Sequence, residues 1–415
     1  MRRRSGPGWR GCGGVTGALA GVRVLDLSYF IPGPFATKTL ADYGADVIKV
    51  EPPGGEPGRR LRPFKGDDPD GEKSGLFFAL NLNKRGVVLE PRSPEGRDGL
   101  LALASRADVV VESFAPGVMA SLGLGYEDLR RVNSKITLAS ISSFGQTGPW
   151  RDYTVSDTVL YAMGGAMYMQ GAEDRAPLKL GGSVALLQAG VMSAAAIMAA
   201  ILWQSRTGEG QWLDLSLYEL QSASNAFRIQ QYMVYQFSGH IHRRRAGQSE
   251  VASGSGVYPC ADGYIEVYVP PQKWGRLLAV LGNPAEISEE RWREPLARMS
   301  LEFLDIFTAA WLPWLLERTR REAWDALQAE GILSGPLNTV ADLAADPVFR
   351  ERGFWAEVEH AALGKVTLPG RPFLMSATPW ELRRAAPLLG EHTGEVLAEA
   401  GLGPDAIATL AGAGR

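Results

Sequence analysis

Apolar and polar positions fall into two alternating rhythms over the first half of the chain. Short apolar runs of strand length occur at residues 22–28 (VRVLDLS), 46–51 (DVIKVE), 108–114 (DVVVESF) and 136–142 (ITLASIS). Between them lie stretches with helical spacing, such as 34–44 (PFATKTLADYG), closed by Gly44, and 95–106. Strand–helix–strand alternation predicts a parallel sheet with right-handed crossovers, the doubly wound α/β pattern. Residues 181–217 form the longest organised stretch: a glycine-marked loop, a long apolar helix, the turn TGEGQ and the strand WLDLSL. A helix is expected over about 219–234.

The rhythm changes near Ser238. Residues 240–256 are polar, basic and small, and 257–269 (VYPCADGYIEVYV) read as two alternating strands joined at Ala261-Asp262-Gly263, a hairpin signal. Helical patterns follow at 272–282 and, rich in tryptophan, at 302–329. The expectation is a flexible extension over 1–19, a large Rossmann-like domain built from 20–237 and 331–415, and a small α+β domain over 238–330.

Composition narrows the function. The chain has 415 residues, 45% of them apolar and 21% charged, within the globular range, and a net charge of -3 that argues against a nucleic-acid binder. Cys12 and Cys260 give no disulfide framework, which fits a cytoplasmic protein. His240, His242, His360 and His392 have no metal-ligand spacing, so no metal is expected. The basic start MRRRSGPGWRGCGG has no apolar segment of the kind a secretory signal needs. The apolar run 186–203 approaches membrane-span length but carries Gln188, Gly190 and Ser193, and reads as a core helix. No GxGxxG follows the first strand, which disfavours a nicotinamide enzyme.

Seven collinear segments resemble the class III CoA-transferase family, which includes formyl-CoA and carnitine CoA-transferases and α-methylacyl-CoA racemases. They are GVRVLDLSYFIPGPFATKTLADYGADVIKVEPPGG, NLNKRGVVLE, ADVVVESFAPGVMASLGLGYEDLRRVN, SSFGQTGP, RTGEGQWLDLSL, SGPLNTVADL and PLLGEHTGEVL, running from Gly21 to Leu397. The resemblance implies two subunits threaded through each other as interlocked rings. It implies CoA thioesters as substrates, a carboxylic acid as acceptor, and no permanently bound cofactor.

Members of this family use an aspartate nucleophile that attacks the thioester carbonyl. It sits four residues before a glycine at the start of the long helix, which here is Leu186 before Gly190. From residue 176 to 207 there is no Asp or Glu at all. Asp157 aligns with an assisting acid of the family; the same position suits an N-cap for the helix beginning DTVLYAM, with Ser156 as the rival cap. Where racemase members carry a histidine, this chain has Ser156, which disfavours racemisation. Asn83-Lys84-Arg85 matches the family's N-K-R motif and is expected, with Leu89 beyond it, to meet CoA and its phosphates. Phe30 and Ile31 align with positions that line the pantetheine end. Ser121 and Ser113 replace a frequent arginine and asparagine near CoA. Residues 253–256 (SGSG) align with a glycine loop that closes over the reactive intermediate in oxalate-using members, or simply enter the hairpin. The run Arg243-Arg244-Arg245 reads as a solvated surface.

Three functions follow from these residues: a non-catalytic subunit of a hetero-oligomeric CoA-transferase, a stand-alone enzyme acting on acyl-CoA through Asp157, or a homodimer that binds CoA esters without catalysis.

Overall fold

The computed structural model describes residues 17–223, 226–241, 243 and 254–412. The extension expected over 1–19 therefore lies almost wholly outside the described residues, as do Cys12, His242, Arg244, Arg245 and Ser253. The chain divides into two compact units. One contains the chain up to residue 170, residues 177–243 and everything from 353 onward; the other contains 171–176 and 244–352.

The first unit begins β1 (Arg23–Asp26), α1 (Pro32–Asp42), β2 (Asp46–Glu51), α2 (Gly75–Leu80), β3 (Lys84–Val88), α3 (Pro94–Ala104) and β4 (Val109–Glu112). It continues with α4 (Val118–Ser121), α5 (Tyr126–Val132), β5 (Thr137–Ser142), α6 (Asp157–Met163) and α7 (Val184–Thr207). Next come β6 (Trp212–Ser216), α8 (Leu217–Ala223) and α9 (Ala226–Ser238). The six strands form one parallel sheet in the order β3-β2-β1-β4-β5-β6. Chain order reverses between β1 and β4, so the crevice above their carboxyl ends is the topological switch point where such sheets take ligands.

Helices cover both faces of the sheet. Leu100, Leu103 and Ala104 of α3 join Leu129 of α5 and sheet residues Leu25, Ile48 and Val110 in one core. On the opposite face Ala36, Leu40 and Ala41 of α1 meet Ala194, Ile197 and Ile201 of α7 over Val24, Val47 and Val109. The two helices approach closely at Gly190, where a Cβ would lie 2.7 Å from the Pro32 carbonyl oxygen and 3.1 Å from the Phe35 Cβ. Among the described residues, α7 is the one helix long and apolar enough to cross a membrane, and its buried side lies in this core.

The second unit holds β7 (Gly256–Cys260), β8 (Gly263–Tyr268), α10 (Trp274–Val280), α11 (Leu301–Leu316), α12 (Arg320–Ala329), β9 (Leu333–Pro336), α13 (Val340–Ala345) and α14 (Pro347–Glu351). The hairpin expected at Ala261-Asp262-Gly263 forms with Cys260 opposite Gly263. Trp274, Trp292, Phe303, Phe307 and Trp311 fill the core beneath it. The expected return to the large unit at 331 comes later, near Gly353. Strand β9 pairs with β8 in register Ile265 to Pro336, so its hydrogen bonds hold it in the small unit. The first unit is then completed by the hairpin β10 (Trp355–His360) and β11 (Gly364–Pro369), α15 (Thr393–Glu399) and α16 (Pro404–Gly412).

Candidate functional site

The loop leaving β1 at the switch point is fixed at each residue. The Ser28 amide and hydroxyl donate to Asp26 Oδ1 at 3.0 and 2.5 Å, and Lys49 Nζ donates to the Ser28 carbonyl. The Tyr29 amide donates to Ser113 Oγ at 2.8 Å, and the Phe30 amide to Glu56 Oε2 at 3.1 Å. Phe30 takes a left-handed backbone, φ 64°, a conformation that costs a residue with a Cβ roughly 1–2 kcal/mol. Phe30 is 46% exposed on the loop that leaves β1, whereas Ile31 is buried at the entry to α1. The Tyr29 ring stands edge-on to Phe114 at 5.2 Å, and burial together with Glu56 and Glu51 pushes its hydroxyl up to about 12.

Beneath this loop lies a cluster of buried charge. Lys84 Nζ donates to Asp26 Oδ2 at 2.8 Å, to the Pro34 carbonyl at 2.9 Å and to Asn81 Oδ1 at 2.8 Å. Lys49 Nζ stands 3.9 Å from Asp26 and 3.8 Å from Glu56. Burial alone would raise the Asp26 carboxyl; the charges of Lys49 and Lys84 outweigh it and hold the group well below the usual carboxylate range. Burial lowers the Lys84 ammonium to about 8 against the pull of Asp26.

This corrects the reading of the N-K-R motif as a set of phosphate contacts. The three bonds of Lys84 stay inside the fold. Arg85 is consumed by Asp46 at 2.7 Å and by Glu395 and Glu399 at 2.8 Å each. Asn83 donates to Asp42 at 2.8 Å and accepts from the Arg383 amide at 2.7 Å. Leu89 lies with its side chain in the core against α3. Freeing Lys84 for a phosphate would strand the buried Asp26 carboxylate. An exposed cation, Arg92, lies close enough to Tyr29 to oppose the rise of its hydroxyl, and the sequence reading passed over it. Its signal was position: it follows β3 by a few residues, at the carboxyl edge of the sheet.

Asp157 is the first residue of α6, and Ser156 is the cap, its hydroxyl accepting from the Val159 amide at 3.4 Å. The Asp157 carboxylate instead pairs with Lys179, Oδ2 to Nζ at 2.9 Å, while Oδ1 is buried with no hydrogen-bond partner. Lys179 also donates to the carbonyls of Leu180 (3.1 Å) and Gly182, so this pair fastens the loop that enters α7. Leu186 is half-buried in the first turn of α7, which contains no acid. Nearby, Tyr161, Tyr168, Tyr218, Tyr232 and Leu180 line a cleft of about 490 Å³.

Other expected residues separate. Ser121 is exposed, its hydroxyl turned to the Val118 carbonyl at 2.8 Å. In the second unit Ser255 is buried and its Oγ accepts from the Val269 amide at 3.2 Å, an arrangement of hairpin entry. Glu112, which closes β4, escaped sequence reading. Burial pushes its carboxyl up to about 7 despite bonds from Ser140 and the Phe114 amide.

Comparisons with known proteins agree over nearly the full length. The profile of CoA-transferase family III matches residues 19–393. The succinate–glutarate CoA-transferase of Agrobacterium fabrum is 37% identical over 389 residues, 92% of this chain and 95% of that protein. Subunit BbsE of the succinyl-CoA:(R)-benzylsuccinate CoA-transferase of Thauera aromatica is 31% identical over 392 residues, 91% and 93% of the two chains. A solved CaiB/BaiF family protein from Brucella suis superposes with a TM-score of 0.83 at 33% identity, covering 93% of this chain and 100% of that one. With the parallel sheet, the switch-point crevice and these matches in agreement, the chain belongs to CoA-transferase family III.

Proposed function

We propose that this chain acts in the transfer of CoA between carboxylic acids as the subunit that holds the thioester, while a second, related chain supplies the nucleophilic aspartate. The carrying observation is the start of α7. Leu186 occupies the turn where the family's aspartate is expected, and residues 176–207 contain no acid to replace it. The relationship to a subunit of a benzylsuccinate CoA-transferase supports the same reading.

In this scheme the partner's carboxylate attacks the thioester carbonyl and CoA leaves as thiolate, giving a mixed anhydride. The thiolate then attacks the carboxylate carbon that came from the enzyme, releasing the donor acid and leaving CoA on the partner's aspartate. Repeating the exchange with the acceptor acid completes the transfer. This chain contributes the switch-point crevice, with the Phe30 ring against the apolar arm of CoA and Arg92 toward its phosphates. The outer face of α7 supports a subunit contact: Val184, Val191, Met198, Leu202 and Trp203 are all 47–52% exposed, an apolar stripe of the kind that marks interfaces. An interlocked pair, with a like or related chain, fits a large unit closed by both chain ends.

A second reading, a chain active by itself, rests on the buried and unbonded Oδ1 of Asp157. Its ion pair with Lys179 opposes a nucleophilic role, since attack would require that pair to part. The test is CoA transfer from succinyl-CoA to glutarate or benzylsuccinate, measured with the chain alone and with a family member that carries the aspartate. Activity only in the mixture is expected. Full turnover by the lone chain, lost in Asp157→Ala, would overturn the subunit reading in favour of the second.

A further inference from the structure

We propose that Glu56, backed by Lys49, is a positioning residue for CoA-thioester binding: it holds Phe30 in its left-handed conformation so that the ring faces the crevice. This rests on the CoA-binding reading above.

The argument starts from the backbone. A phenylalanine at φ 64° does not stay there by preference, so something must hold it. Three neighbouring segments do. Asp26 and Lys49 fix Ser28 from below, Ser113 takes the Tyr29 amide, and Glu56 takes the Phe30 amide. Of these contacts only the Glu56 bond acts on the strained residue itself. Glu56 is 1% exposed, and its Oε2 also accepts from the Gly58 amide at 2.9 Å, which fixes the carboxylate in place. Its Oε1 has no hydrogen bond; among the described residues the cation paired with it is Lys49, Nζ at 3.8 Å. A fully buried carboxylate is costly to keep, and a loop with no task could have used glycine at position 30 without strain. What the arrangement achieves is a large apolar residue, 46% exposed, on the loop at the switch point.

The experiment is a double-mutant cycle on acetyl-CoA binding, measured by calorimetry on the full chain, alone or with the partner that restores activity. Phe30→Ala and Glu56→Ala are each expected to weaken binding about tenfold, and the double variant no further, because Glu56 acts through Phe30. Glu56→Gln keeps an oxygen for the Phe30 amide and is expected to stay within about threefold of wild type. Should Glu56→Ala fail to fold, Glu56→Asp takes its place in the cycle, with a carboxylate too short to reach Phe30 and Lys49 together. Additive losses, or unchanged binding in the Glu56 variant, would overturn the positioning role while leaving the CoA reading intact. A wild-type chain that binds no acetyl-CoA at millimolar concentration would overturn both.

Discussion

Two loops feed two helices on the same face of the sheet, and they are built from opposite materials. The loop into α1 rests on Asp26, Lys49, Lys84 and Glu56, all buried and mutually paired. The loop into α7 is fastened by a pair about one-fifth exposed, Lys179 with Asp157 of α6, and residues 176–207 contain no acid. Charge in this molecule is therefore concentrated where it shapes the backbone. It is absent where the family's covalent chemistry is expected, so richness in ionisable groups does not mark the reacting centre.

The sharpest way to break that contrast is at Asp26. Asp26→Ala leaves two lysines buried without their shared partner and is expected to cost about 3–5 kcal/mol in urea denaturation. A loss under about 1 kcal/mol would mean that the cluster is not structural. Next is the contact between the two helices: Gly190→Val drives a side chain into the Pro32 carbonyl, for an expected loss of about 3 kcal/mol by the same measurement.

Glu112 follows. Its folded-state value near 7 lies above the ordinary 4.5, so the folded chain keeps a proton that the unfolded chain has lost. Stability should fall as pH rises from about 4.5 to about 7 and level off beyond. Glu112→Gln removes that fall, worth roughly 3 kcal/mol at pH 8 relative to pH 4 when melting is compared across pH. The smallest effect belongs to the other loop. Asp157→Asn, at a partly exposed pair, is expected to change stability by less than about 1 kcal/mol. A loss as large as that of Asp26→Ala would erase the distinction between the two loops.

The strands and their parallel order were legible because each apolar run is continuous and flanked by glycine or a cap. What the sequence hid is pairing across distance. Lys84 and Arg85 look like phosphate contacts, yet a partner of one lies 58 residues earlier and a partner of the other 314 residues later. No local pattern reveals that both cations point inward. The late return at Gly353 was hidden likewise, because Leu333–Pro336 shows itself as a strand only beside β8. At the site, position told more than residue type. Phe30 was found through its alignment, whereas Glu56, Lys49 and Arg92 become visible only once β1, β2 and β3 end together.

Strand β3 lies at the edge of the sheet, where unpaired backbone invites another strand. Here that edge is occupied by residues from far along the chain. The His392 amide donates to the Gly86 carbonyl at 2.8 Å, the Gly86 amide to His392 Nδ1 at 3.1 Å, and the Val88 amide to Thr393 Oγ1 at 3.0 Å. During synthesis, then, the sheet must wait with an open edge while about 300 further residues leave the ribosome. The second unit, drawn from residues 171–176 and 244–352, is fully synthesised before that edge can close. Until residues 392 and 393 arrive, the nascent β3 edge stays open to pairing with another strand.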